Sequence, residues 1–334
     1  GCGRVANVHA GGYKKASETK LLAASDIDES KLKAFSKEWE VSGQYTDYEE
    51  MLEKEELDIV SICTKDNQHP EPTIKAAESG VKGILCEKPM AYTLEEADKM
   101  IEACDAEGLR SDGTAKANVK LSIDHSMRFE ANYRKLFEIA QSGEIGKLRC
   151  VHFNVLGGST SIESLLHETH SFDAYLFYAG ADASWLSARV QKQDNKETIT
   201  GYISFKNGIY ATFEYGGRRN YGTYELILEG SDGTLSAVHG KRNSLDLNGA
   251  YSWEPFVRIW KKSDGGLTGF RDGEPIETEK SDPWLAGIEE LVQCIKEDRE
   301  SISSGKVGRV SLEMIMAIYE SERQNGARIK FPLS

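Results

Sequence analysis

No run of about 18 apolar residues occurs in the 334 positions, so the chain offers no candidate membrane-spanning helix. Nothing in it resembles a signal peptide either. Basic charge is also short: 41 Lys+Arg against 54 Asp+Glu leave a formal net charge of −13. A protein that follows nucleic-acid phosphates carries a basic stripe, so nucleic acid is not an expected partner, nor is a membrane. The six cysteines (Cys2, Cys63, Cys86, Cys104, Cys150, Cys294) include no C-x-x-C pair. Cys63, Cys86 and Cys150 fall inside apolar, strand-like runs, which predicts buried thiols in a reducing, cytoplasmic compartment. Neither an internal repeat nor a low-complexity tract is present. The hydrophobic fraction of 39% is enough for a sizeable core at this length, and the length suggests about two domains.

What the sequence does contain is a change of grammar. Up to about Gly108, short apolar runs alternate with helical stretches. Leu21–Ser25, Asp58–Cys63 and Gly83–Cys86 read as strands. Glu29–Trp39 shows a helix face in Leu32, Phe35 and Trp39. His69–Gly80 is helical with Gly80 as its stop, and Thr93-Leu94-Glu95-Glu96 matches a capping box. Such alternation predicts a doubly wound parallel sheet. Beyond about residue 120, after a polar connector at 111–117, one helix over 131–142 is followed by strand-length runs at 147–156, 185–192, 197–206, 209–216, 224–229 and 255–261. Asn207-Gly208 and Asp232-Gly233 mark turns, and helices over 285–297 and 312–323 close the chain. The expected fold class is α/β: a Rossmann domain over 1–120, then an α+β domain over 121–334 with a large, mostly antiparallel open sheet.

Three constellations carry chemistry. Gly1-x-Gly3-x-x-Ala6, including Arg4 and Val5, forms a glycine turn that would let backbone approach a pyrophosphate. Asp26 follows 25 residues after Gly1, with Ile27 next to it; an acid there suits a ribose 2′-hydroxyl and repels a 2′-phosphate, which favours NAD. A turn of this kind normally follows a buried strand, so residues upstream of Gly1, or a longer chain of which this is a piece, are expected. Alone, the turn is a weak signal; the acid and the α/β alternation strengthen it. The second constellation is Thr64-Lys65-Asp66-Asn67-Gln68-His69 with Glu87-Lys88-Pro89, both beyond strand carboxyl ends where such sheets bind ligands. A lone loop lysine is usually a solvated charge; one held between an acid and a proline can relay a proton. The third is His167-Glu168-Thr169-His170-Ser171-Phe172-Asp173. With no third ligand at a recognisable spacing and no H-E-x-x-H, no metal site is expected. Polar helix capping and acid–base chemistry both remain open for it.

Taken together, these pieces resemble the Gfo/Idh/MocA oxidoreductases. The matching residues are Gly1 to Ala6 with His9-Ala10, Ala24-Ser25-Asp26, Tyr45 to Glu50, Thr64 to His69, and Cys86-Glu87-Lys88-Pro89. They continue with Arg128-Phe129, Ser142 to Gly146, His170-x-x-Asp173, Gly230 to Thr234 and Ile318 to Ser321. The resemblance implies hydride transfer between NAD and a ring carbon of a sugar, glycoside or cyclitol; an open sheet whose outer face needs covering makes a homo-oligomer (dimer or tetramer) the expectation. It implies that Lys88 contacts substrate and nicotinamide ribose, that His170 is the general acid/base, and that Asp173 supports it. Gly1, Gly3, Arg4, Val5, Ala6, Asp26, Ile27, Thr64, Asp66, His69, Glu87 and Lys88 are the expected cofactor contacts. Arg128, His152, Asn154, His167, Glu168 and Asp173 are the expected substrate contacts; His152-Phe153-Asn154 resembles the H-x-N of inositol dehydrogenases, and strand alternation puts its outer two residues on one face. Two positions depart from the family pattern. Leu166 stands where an Asp commonly precedes the histidine, and Lys65 replaces a loop proline. Redox-neutral glycoside cleavage through transient C3 oxidation fits the same residues; a non-catalytic NAD-binding regulator would be expected to lose the lysine and histidine, and both are present.

Overall fold

The computed structural model describes residues 1–105, 118–156, 161–193, 196–216, 223–240, 256–261 and 273–333. Its first unit is built as the alternation predicts. In chain order come α1 (Arg4–Lys15), β1 (Ala23–Ser25), α2 (Glu29–Trp39), β2 (Gly43–Tyr45), α3 (Tyr48–Lys54), β3 (Ile59–Ile62), α4 (Pro70–Ser79), β4 (Gly83–Cys86), α5 (Leu94–Asp105) and β5 (Lys120–Ile123). Every strand pair is parallel: β1 with β2, and β3–β4–β5 in that order. The four residues of β4 and of β5 are all buried, as strands covered on both faces require. Helix ends follow local chemistry. Asp28 accepts from the Ser30 and Lys31 amides at the start of α2. The Thr93 hydroxyl accepts from the Glu96 amide while the Glu96 carboxylate accepts from the Thr93 amide, so the capping box forms. Gly80 ends α4 at φ 89°, a conformation costly for any residue with a Cβ. The polar connector at 111–117 and the end of α5 near Gly108 lie outside the described residues.

Two units divide the chain, Gly1–Phe129 with Ser281–Leu312, and Glu130–Lys280 with Glu313–Ser334. A single boundary after residue 120 is therefore replaced by a return of the chain to the first unit. The reason is a sheet face that needs cover: α8 (Pro283–Glu297) brings Ile288 and Leu291 into one buried cluster with Tyr13, Ala16 and Leu85. Each such side chain fully buried stabilises by about 1.5–3 kcal/mol.

The second unit holds a nine-stranded sheet. Its elements are α6 (Ala131–Ser142), β6 (Leu148–Leu156), α7 (Thr169–Ala179), β7 (Ala183–Gln193), β8 (Lys196–Phe205), β9 (Tyr210–Gly216), β10 (Thr223–Gly230), β11 (Gly233–Gly240), β12 (Phe256–Lys261), β13 (Glu274–Pro275) and β14 (Ile329–Lys330), with α9 (Gly305–Arg323) running into it. The order is β13-β12-β11-β10-β6-β9-β8-β7-β14, and among the described residues only the β6–β9 pair is parallel. The turn signalled by Asp232-Gly233 falls at Ser231-Asp232, and Gly233 already opens β11, a strand the sequence pattern did not reveal. Val151, Phe153, Ala211, Phe213, Tyr215, Leu226 and Leu228 form one buried face. Helix α7 packs on it: the Tyr175 hydroxyl donates to the Phe153 and Thr212 carbonyls, each at 3.3 Å, and Phe172 meets Phe213 edge-on at 5.7 Å. Aromatic pairs of this kind contribute about 0.5–1.5 kcal/mol beyond their area.

Candidate functional site

In the first unit the motif residues gather at the carboxyl ends of the strands. Gly1 lies against the end of β3: a Cβ there would come within 2.6 Å of the Cys63 carbonyl oxygen, so this position tolerates only glycine. Gly3 is the residue before α1; space beside it is open, and no side chain caps the helix. Arg4 is exposed in the first turn, Val5 half-buried and Ala6 buried. The helix start thus keeps its amides and its partial positive charge available to an anion. Asp26, just past β1, accepts the Cys2 amide on Oδ2 at 2.7 Å and the Asp28 amide on Oδ1 at 2.8 Å. Both bonds aim the carboxylate, and each oxygen retains a lone pair for a ribose hydroxyl. Ile27 beside it is 90% exposed, an apolar side chain standing in the open next to that acid. These residues fit a dinucleotide.

Beyond β3, Asp66–Gln68 form a short 3-10 turn closed by the Gln68 amide on the Lys65 carbonyl at 2.7 Å, and the Thr64 hydroxyl donates to the Gln68 carbonyl at 3.2 Å. The turn gives this loop definition without the family proline. Beyond β4, the Glu87 amide donates to the Ile62 carbonyl at 3.1 Å, and Glu87 Oε2 accepts the Lys88 amide at 3.2 Å. The Lys88–Pro89 peptide is cis. His69, an expected cofactor contact, lies behind this turn. It is 1% exposed, and its Nδ1 bonds the Pro89 carbonyl at 2.8 Å, so it props up the lysine turn from behind.

Sequence reasoning missed His9. Two per cent exposed in α1, it places Nε2 3.1 Å from Glu87 Oε1 and 3.3 Å from Asp124 Oδ2. Burial opposes its charge, but Cys63, Asp124 and Glu87 together raise its pKa well above the usual imidazole value. The available signal was a polar residue on the face of α1 that also carries the buried Ala6, Ala10 and Tyr13.

In the second unit, His170 is half-buried in the first turn of α7, His167 is exposed in the 3-10 turn before it, and Glu168 is the residue at the helix start. The Glu168 charge helps to raise the Tyr224 and Tyr215 hydroxyls, after burial, so this carboxylate faces the sheet side of the helix. Four more of the expected substrate contacts are Asp173, Arg128, His152 and Asn154. Asp173 is fully buried inside α7. Arg128 is 7% exposed and belongs to the first unit. His152 and Asn154 share a face as alternation predicts, but it is the face opposite Phe153, away from α7. There His152 Nδ1 lies 2.5 Å from Thr212 Oγ1, its Nε2 is 3.3 Å from Glu229 Oε1, and the Asn154 amide donates to Glu225 at 3.3 Å.

A parallel sheet with a glycine turn, an acid after the first strand and a lysine turn, followed by a unit of helices on a large mixed sheet, defines a dinucleotide-binding Rossmann protein with an added α/β domain. The chain belongs to the Gfo/Idh/MocA oxidoreductase family. Residues 1–111 match the family's NAD-binding Rossmann fold and residues 164–331 its C-terminal alpha/beta domain. It is 28% identical to a myo-inositol 2-dehydrogenase of Thermotoga maritima over 93% of this chain and 91% of that one. It is 25% identical to a D-apiose dehydrogenase of Paraburkholderia graminis over 97% and 86%. An oxidoreductase of Agrobacterium radiobacter, solved with NAD+, L-tartaric acid and magnesium, shares the fold with a TM-score of 0.76, at 19% identity over 99% and 96% of the two chains. Among the described residues no helix is long and apolar enough to cross a membrane.

Proposed function

We propose that this chain is an NAD-dependent dehydrogenase of sugars or cyclitols, oxidising a ring CH–OH to the ketone or reducing that ketone. The observation that carries the reading is the Glu87-Lys88-Pro89 turn, braced by Ile62, His9 and His69 beside the glycine turn in a chain of this family. The glycine turn would hold the pyrophosphate, Asp26 the adenosine ribose with Ile27 along its apolar side, and Thr64, Asp66 and Glu87 the nicotinamide side. When bound, NAD supplies a hydride acceptor. In the oxidation direction the carbon gives up a hydride and the hydroxyl proton must leave to a base within hydrogen-bond reach, so NADH, a ketone and one proton are formed. Lys88 is assigned to the substrate hydroxyl and the nicotinamide ribose, and His170 to the proton. Glu168 or His167 supplies the polar contact that Leu166 lacks.

A panel of sugars, cyclitols and glycosides, assayed for NADH absorbance and for product, tests this. Stoichiometric NADH with ketone supports it. Glycoside cleavage without net NADH would make the enzyme a redox-neutral glycosidase, and NAD binding with no turnover of any member would make it a regulator.

A further inference from the structure

The glycine turn and the lysine turn are joined through one buried side chain. His9 projects from α1, the helix that begins at the glycine turn. Its Nε2 meets Glu87 Oε1 at 3.1 Å and Asp124 Oδ2 at 3.3 Å, and its Nδ1 lies 3.3 Å from Ser61 Oγ, itself 2.9 Å from the Tyr13 hydroxyl. Glu87 holds the Lys88 amide with its other oxygen. Four elements therefore meet at this imidazole: α1, the last turn of β3 at Ser61, the lysine turn after β4, and Asp124 after β5. Asp124 is tied back in turn, its amide donating to the Cys86 carbonyl at 2.8 Å.

The Ser61 hydroxyl can either donate to Nδ1 or accept from it, so what favours a second proton on the ring is the pair of carboxylates at Nε2. The titratable groups facing the ring are Cys63 and Tyr13 besides the two acids, and burial holds the Tyr13 hydroxyl neutral by raising it to about 12. A doubly protonated ring answers every contact. The same three side chains have a metal site's donor set, but a ring donating from both nitrogens has no lone pair for a cation. The comparable group Cys150, His152 and Glu229 spends its imidazole on Thr212 and Glu229.

We propose that His9 is a positioning residue for Lys88, fixing the Glu87 carboxylate, and with it the backbone that carries the lysine, to the helix of the cofactor turn. Cofactor seating and lysine placement are thereby one rigid arrangement. The proposal rests on the reading of Lys88 as a catalytic residue.

The test is a double-mutant cycle of His9→Gln and Lys88→Ala on the full chain, with NAD and the panel member the wild type oxidises fastest. His9→Gln should lower kcat on the order of 10- to 100-fold, the scale of a slightly misplaced group. The KM for the sugar and the calorimetric Kd for NAD should stay within about threefold. The double variant should fall no more than about threefold below Lys88→Ala, because His9 acts through Lys88. Independently of activity, the imidazole nitrogen shifts of His9 at neutral pH should be those of a doubly protonated ring. Should His9→Gln fail to fold, Asp124→Asn runs the same cycle from the other acid at the ring. Wild-type kcat in the single variant, fully additive losses, or a neutral ring would each overturn the proposal while leaving Lys88 in place. If Lys88→Ala itself turns over normally, the reading of Lys88 fails first and this proposal with it.

Discussion

In the first unit the residues named by motif converge. Glycine turn, Asp26, Thr64, Asp66 and Lys88 arise from segments far apart in sequence, and all lie past the carboxyl ends of parallel strands. In the second unit the named residues part: His170 rides on the helix side of the nine-stranded sheet, while His152 and Asn154 point from the opposite face. The difference is one of sheet geometry. A parallel, doubly wound sheet sends every strand out at the same edge, so a polar residue just after an apolar run is at the ligand edge wherever the run falls. Strand alternation within a broad sheet fixes which residues share a face, but which face meets the substrate depends on where the helices pack.

The largest effects should follow from the converged set and its partner histidine. Lys88→Ala should leave a folded, NAD-binding protein with turnover down on the order of 10²–10⁴-fold, and His170→Ala should lose a similar share. His167→Ala and Glu168→Gln should each lose less. Steady-state kinetics beside NAD calorimetry checks this. Unchanged rates in Lys88→Ala would break the comparison at its stronger end.

Buried acids sharpen the contrast. Glu87 and Asp124 share a histidine, whereas burial alone raises the Glu130 carboxyl at the start of α6 to about 7 from an ordinary 4.5. Between those two values the folded state binds the extra proton, so this residue makes stability fall as pH rises, with the loss complete above about pH 7. The shift sets an upper bound of about 3 kcal/mol. Glu130→Gln should therefore be more stable than wild type in urea at pH 8 and close to it at pH 5. Equal gains at both pH values would show that the carboxyl is not carrying the effect.

A smaller effect is set by Asp26. A 2′-phosphate would bring about two negative charges against a carboxylate already oriented by two amides, with Ile27 and Asp28 following and no arginine adjacent. NAD should bind at least about tenfold more tightly than NADP, roughly 1.4 kcal/mol by calorimetry. Equal binding would mean that the acid serves the glycine turn alone.

Much of this was legible beforehand. The strand at 83–86, the helix at 29–39 and the capping box at Thr93 and Glu96 were read where the structure places them, because burial on both faces and local capping leave marks within a few residues. Short β2, and β11 behind its turn, were not read; three residues of half-buried strand carry too little pattern, and Leu235 and Ala237 give β11 only a brief apolar alternation. The return of α8 to the first unit was invisible because its partners Tyr13, Ala16 and Leu85 lie far off in sequence. His9 was quoted within a motif but given no task, since a buried charge declares itself only once Glu87 and Asp124 are brought to it.

The smallest expected effect is also the one that decides between the two faces of the large sheet. If substrate is handled on the α7 side, His152 and Asn154 hold Thr212, Glu229 and Glu225 on a surface the reaction does not use. His152→Ala and Asn154→Ala should then change kcat/KM by less than about threefold, within the range of ordinary surface substitutions. Both side chains are half-buried, so folding should be retained and the kinetics interpretable. The control is Glu168→Gln, on the sheet side of α7, which should cost more than either. A rise in KM of tenfold or more for His152→Ala, with kcat preserved, would place the sugar on the polar face and restore the inositol-dehydrogenase-like role of that strand. The contrast between converging and parting motifs would then vanish, because the second unit would gather its residues as the first one does.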